Sequence, residues 1–102
     1  MHTLTLSGTE YVLRCDLNVI DKIERRFVSV DACRKIAAAG AVGSAAATKF
    51  LCAEMINEHF AAAGDPKRVT EDEVGRALGG NIAPVLAEIF GELADCLTQV
   101  GK

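Results

Sequence analysis

The sequence predicts an α+β, mostly α fold: an N-terminal β-hairpin packed on a bundle of four to five helices. Three observations predict it. Apolar and polar residues alternate over residues 3–6 and 11–15, the period of a half-buried strand. From residue 17 onward the apolar spacing becomes three and four, the period of one helix face. Glycines, prolines and capping residues then divide that helical stretch into separate segments. With 102 residues, 50% hydrophobic and 25% charged, residues 1–102 suit one domain with a modest core.

In the hairpin, Leu4, Leu6, Tyr11, Leu13 and Cys15 share a face, and Ser7-Gly8-Thr9-Glu10 supplies the turn chemistry. Two strands alone are marginal, so that face must lie on helices. Val12 and Arg14 are expected to point outward beside strand edges open to another chain, which makes them partner-binding candidates. Asp16 or Asn18 can cap the next helix, which runs to Phe27 with Leu17, Ile20, Ile23 and Phe27 inward. Its outward face, Asp21, Lys22, Glu24, Arg25 and Arg26, is mixed in charge and reads as solvated. Ser29 or Asp31 starts a weaker helix with Val30, Cys33, Ile36 and Ala37 inward, ending at Gly40.

Residues 40–43 read as a loop, followed by a long helix over 45–63 with Ser44 before it. Leu51, Cys52, Met55, Ile56, His59 and Phe60 gather on one side, with Glu54, Asn57 and Glu58 opposite. Phe50 falls among the polar residues, so it is either an exposed contact aromatic or buried by a bend. His59 and Cys52 superficially offer two metal ligands, but no third or fourth stands at suitable spacing, and a core or boundary histidine is the simpler reading. His2 carries no signal of its own.

Gly64-Asp65-Pro66 reads as a turn. Thr70 and Glu73 then form a capping box, and Val69 with Val74 has the spacing of a hydrophobic staple. A short helix must start there, with Val74, Ala77 and Leu78 inward, and Gly79-Gly80 stops it. Asn81 can cap the final segment, 81–102, where Pro84 stands in the first turn. Ile82, Val85, Leu86, Ile89, Phe90, Leu93, Cys96, Leu97 and Val100 make a stripe wide enough for two neighbours, opposite Glu88, Glu92, Asp95 and Gln99. This segment is expected to organise the chain, its seam packing on the 45–63 helix and the hairpin. Its flank, Phe90 and Leu97, is a second partner-binding candidate beside Phe50.

A net charge of −3 and pI near 5.3 disfavour phosphate-backbone binding. Two short helices about Gly79-Gly80 imitate a helix-turn-helix, but the second presents Glu88, Glu92 and Asp95, so no nucleic-acid partner is expected. No apolar run approaches 18 residues and no signal-peptide pattern opens the chain; no membrane partner and an intracellular location are expected. The four cysteines form no C-x-x-C pair and read as reduced thiols packed as small apolar groups. With no phosphate-cradling loop, nucleophile motif or paired carboxylates in a cleft, no catalytic, cofactor-binding or metal residues are expected.

The opening LTLSGTEYVLRCDLNVIDKIERRF, residues 4–27, resembles the small tail assembly chaperone family of long-tailed, siphovirus-type phages and phage-derived gene transfer agents. There a hairpin with a glycine turn and a tyrosine leads into a Leu-Asn-apolar-apolar helix ending in Ile/Leu-Glu. The corresponding positions are Gly8, Tyr11, Leu13, Leu17, Asn18, Ile20, Ile23 and Glu24, with looser likeness at 69–74 and 82–93. The family usually carries a glycine soon after this helix, where this chain has Phe27-Val28-Ser29. The resemblance implies a non-enzymatic protein in the cytoplasm of a bacterial host. It would bind the tape measure protein during tail morphogenesis and be absent from the finished particle. It also implies contact with the tail tube protein through a longer frameshifted form, and a homo-oligomer through the strand edge or exposed stripe. A structural tail component, such as a tube or tail-completion protein, is the alternative, with a small DNA-binding regulatory domain behind it.

Overall fold

The computed structural model describes residues 2–39, 43–79 and 83–100. The strands are β1 (His2–Leu6) and β2 (Thr9–Leu13), an antiparallel pair whose register closes at Leu6 opposite Thr9. Only Ser7 and Gly8 form the turn, at φ +49° and +80°. Two consecutive left-handed residues match the right-handed twist of a hairpin, so the turn is shorter than the four residues expected. Leu4, Leu6 and Leu13 are buried and Tyr11 and Cys15 half-buried, as the alternation requires. Immediately after β2 the Arg14 N–H donates to the Met55 carbonyl at 3.1 Å, joining the hairpin to the long helix described below.

Helix α1 (Leu17–Phe27) starts at Asp16, whose Oδ1 accepts the Asn18 and Val19 N–H groups at 3.0 and 3.4 Å. Val19, Ile20 and Ile23 face the core, and Leu17, expected inward, is 64% exposed. The face is centred on Ile23 and Val19, one turn apart. Leu17 stands six residues before Ile23, about 120° round a helix of 3.6 residues per turn, and falls off it. The helix ends at Val28, whose N–H reaches the Glu24 carbonyl at 2.9 Å with φ +74°. A β-branched residue in that region is strained, and the side chain is 88% exposed, so it has no packing to lose. The strain lies within Phe27-Val28-Ser29, the connection between α1 and the next helix. Val28→Gly should stabilise the fold by about 1 kcal/mol, relief of ~1–3 kcal/mol of strain less ~0.5–1 of glycine entropy. A higher urea midpoint at unchanged slope would register it; an unchanged or lower midpoint would count against the strain.

Ser29 Oγ accepts the Ala32 N–H at 3.0 Å and starts α2 (Val30–Ala39), which buries Cys33 and Ala37 and half-buries Val30 and Ile36. Helix α3 (Ser44–Ala62) begins one residue earlier than expected. Gly43 at φ +92° takes the cap position, and the buried Ser44 hydroxyl donates to the Ala37 carbonyl at 2.7 Å, tying α3 to α2. Ala47, Leu51, Cys52, Met55 and Ile56 are buried, and so are Phe50 and Ala53 on the other side. A helix covered all round is a core helix, which a one-sided wheel misreads. Phe50, a partner-binding candidate for which exposure and burial were equally open, is 6% exposed. Its ring meets Phe27 edge-on at 5.5 Å, and the Arg26 guanidinium lies 4.7 Å from its centroid, so neighbours from α1 close over it.

Asn57, placed on the polar side by its wheel, clasps Val69. Its Nδ2 donates to the Val69 carbonyl at 2.9 Å and its Oδ1 accepts the Val69 N–H at 2.7 Å. The clasp delivers the chain to α4 (Glu71–Leu78), where Thr70 Oγ1 accepts the Glu73 N–H at 3.1 Å and meets the Glu73 carboxylate at 3.2 Å. Val74 is buried beside half-buried Val69, and Gly79 ends the helix at φ +63°. Helix α5 (Ala83–Val100) turns Val85, Ile89, Leu93 and Cys96 inward. It packs chiefly on β1 and more lightly on α2 and α3, while α3 touches every other helix and β2. The chain is therefore organised around α3, not the final segment. Gly40, Gly80, Asn81 and Ile82, to which helix-end and stripe roles were assigned, lie outside the described residues.

Candidate partner-binding cleft

Where β2 runs into α1 the chain must turn from the hairpin to the helical layer, and the turn leaves an open cleft of about 480 Å³. Val12, Arg14 and Cys15 line its hairpin side, and Asp16 and Leu17 form the entry of α1. His59 comes from the C-terminal half of α3, and Glu92, Asp95 and Cys96 come from α5. Leu17 is the apolar element of its rim, one of two large hydrophobic side chains that stand exposed among the described residues. The floor is apolar and thiol, and the rim carries three carboxylates.

Asp16 anchors the geometry. Arg14 Nε donates to its Oδ2 at 3.1 Å while its Oδ1 caps α1. Burial pushes its carboxyl up, but hydrogen bonds from the Glu58 carboxyl, Arg14 and the Val19 and Asn18 amides outweigh that, holding it below the usual range. Glu58, read from its wheel as solvent-facing, is 9% exposed. Its carboxyl is raised by sharing a hydrogen bond with Asp16 and by burial, against the Asn18 amide, which donates to Glu58 Oε2 at 3.2 Å. Of the two adjacent acids Asp16 keeps the charge and Glu58 holds its proton more tightly. Glu92 is raised as well, first by burial, with His2 opposing.

Cys15 is pushed up by burial and by the neighbouring Cys96 thiol, the reverse of the electropositive setting that makes a reactive thiolate. Burial pushes Cys52 up to about 12 and Cys33 up to about 11. Among the described residues no three His, Cys, Asp or Glu side chains stand close enough to hold a metal ion. His59, expected in the middle of an apolar face, is half-buried at the cleft wall, its ring tilted 6.2 Å from Phe60. The arrangement can grip an apolar side chain and a cation together.

Of the residues singled out by sequence, Val12 and Arg14 come together here. Phe50 is in the core, and Phe90 and Leu97 are half-buried against it, apart from the cleft lining. Leu17, Asp16, Cys15, His59, Glu92, Asp95 and Cys96 were missed as cleft residues. The available signal was the unbroken run from Val12 to Leu17 across the hairpin-to-helix junction.

The class so defined is a small helix-rich α+β fold with a hairpin-flanked cleft. No described helix is long and apolar enough to cross a membrane. Comparison with protein-family models, with curated proteins and with solved structures finds no match.

Proposed function

We propose that the chain is a non-enzymatic tail assembly chaperone of the phage or gene transfer agent type, acting in the host cytoplasm by binding the tape measure protein during tail morphogenesis. The observation that carries this reading is the hairpin-to-helix opening. Gly8 turns the hairpin, Tyr11 and Leu13 face the core, Asp16 caps α1, and Leu17 is left exposed at the rim of a cleft. Of the residues that carry the resemblance, Leu13 and Leu17 line the cleft, which supports this reading. An amphipathic helix docked in such a groove would set an apolar side chain against Leu17 and Val12 and a lysine or arginine against Glu92 and Asp95.

Co-expression with the tape measure protein from the same locus should yield a soluble complex. Leu17→Glu combined with Val12→Glu should weaken it at least tenfold, about 1.4 kcal/mol, with the thermal midpoint of the isolated chain little changed. If the two proteins fail to copurify under several conditions the proposal fails, and if the double variant binds undiminished the cleft is not the docking face. Mass spectrometry of purified particles separates a chaperone, which should be absent, from a structural tail component.

A further inference from the structure

His2 has no sequence signature, yet the fold gives its ring more charged partners than any other side chain on the hairpin. It lies opposite Leu13 on the core side of β1, and its ring rests on α5 at Gly91. Nδ1 stands 3.1 Å from Glu88 Oε2 and Nε2 stands 3.1 Å from Asp95 Oδ2. Glu92, between them on the helix, adds a third carboxylate and is hydrogen-bonded by the His2 backbone. Gly91 is the seat: a Cβ there would come 2.6 Å from the ring Cε1 and 3.1 Å from each ring nitrogen. A side chain there would force the ring to shift.

The chemistry of the two contacts is selective. A neutral imidazole has one N–H and can donate to one carboxylate, turning the lone pair of its other nitrogen toward the second. Only the imidazolium satisfies both. Among the described residues no lysine or arginine forms an ion pair with Glu88, Glu92 or Asp95, and the charge of the α-amino group acts on Glu92, lowering its carboxyl. From β2 the residue across is Leu13, and its neighbour Arg14 is engaged by Asp16.

We propose that His2 is a protonation-operated clasp between the first strand and α5, closed as imidazolium and open as neutral imidazole, so that its state sets how readily α5 leaves β1. Opening would uncover the α5 stripe of Val85, Ile89 and Leu93 together with the facing side of β1. The inference does not depend on the proposed function.

The direction with pH follows from the contacts. The Asp95 and Glu88 hydrogen bonds raise His2 above its ordinary value of 6.5 against the opposing effect of burial, with the Glu92 and Asp95 charges adding to them. A group raised in the closed state stabilises it fully below pH 6.5, and that stabilisation is lost as pH climbs through the raised value. Each unit of elevation corresponds to about a tenfold rise in the α5 opening constant across that window.

The test is amide hydrogen exchange of the full chain between pH 6 and 8.5, corrected for intrinsic exchange, beside an NMR titration of the two histidine rings assigned with His59→Gln. His2 should titrate above 6.5. The α5 amides should open about tenfold more readily per unit of that elevation, with α3 unchanged. His2→Gln and Gly91→Ala should each show α5 open at all pH values to the extent the parent reaches only at high pH. The clasp is refuted if His2 titrates at or below 6.5 in the parent chain, a result that needs no variant to fold. It is equally refuted if either variant keeps the parent's pH dependence.

Discussion

Leu51→Ala should lower the unfolding free energy by about 3–5 kcal/mol, the range for deleting a buried leucine where the surroundings collapse only partly. Leu51 is fully buried on α3, and α3 is walled by α1, α2, α4, α5 and β2, so no single neighbour can move in without leaving others. Against a total of roughly 5–15 kcal/mol for a domain of this size, that is a large fraction. At ~4–8 °C per kcal/mol it lowers the melting midpoint by roughly 12–40 °C. Urea titration followed by circular dichroism measures it. A loss below about 1 kcal/mol would mean that α3 is not the central element.

The second large effect is expected at Asn57. Asn57→Ala removes both partners of Val69 and leaves its N–H and carbonyl unsatisfied in a half-buried place. The expected cost is about 2–3 kcal/mol, more than two ordinary exposed hydrogen bonds because stranded polar groups lose their solvation as well. Asn57→Asp separates the two bonds. It keeps an acceptor for the Val69 N–H but sets a carboxylate oxygen against the Val69 carbonyl, so it should be at least as damaging at neutral pH. Exchange of the Val69 amide and of the first turn of α4 should rise in both variants while α1 is unaffected. Protection retained at Val69 in Asn57→Ala would show that the clasp is incidental.

Features decided by neighbours in sequence were legible. The hairpin face, the Asp16 cap, the inward stripe of α2 and the Thr70 cap of α4 all depend on residues within a few positions of one another. Features decided by packing from elsewhere were not. Phe50 sits on the polar side of its own wheel and is buried because Phe27 and Arg26 of α1 cover it. Glu58 and Asn57 looked solvent-facing because their partners, Asp16, Asn18 and Val69, belong to other segments. Leu17 was placed inward by its apolar character, whereas the phase set by Val19 and Ile23 turns it out. The cleft was half legible: Val12 and Arg14 follow from strand alternation, but His59, Glu92 and Asp95 are brought to them only by the docking of α3 and α5.

The docking of β1 on α5 joins positions made far apart in time. His2 and Asp95 are separated by 93 positions, and at about 5–20 residues per second a ribosome needs roughly 5 to 20 s to go from one to the other. Throughout that interval the strand waits for the cover that α5 supplies. The strand is therefore left without its chief helical cover until the ribosome has made every element between the two.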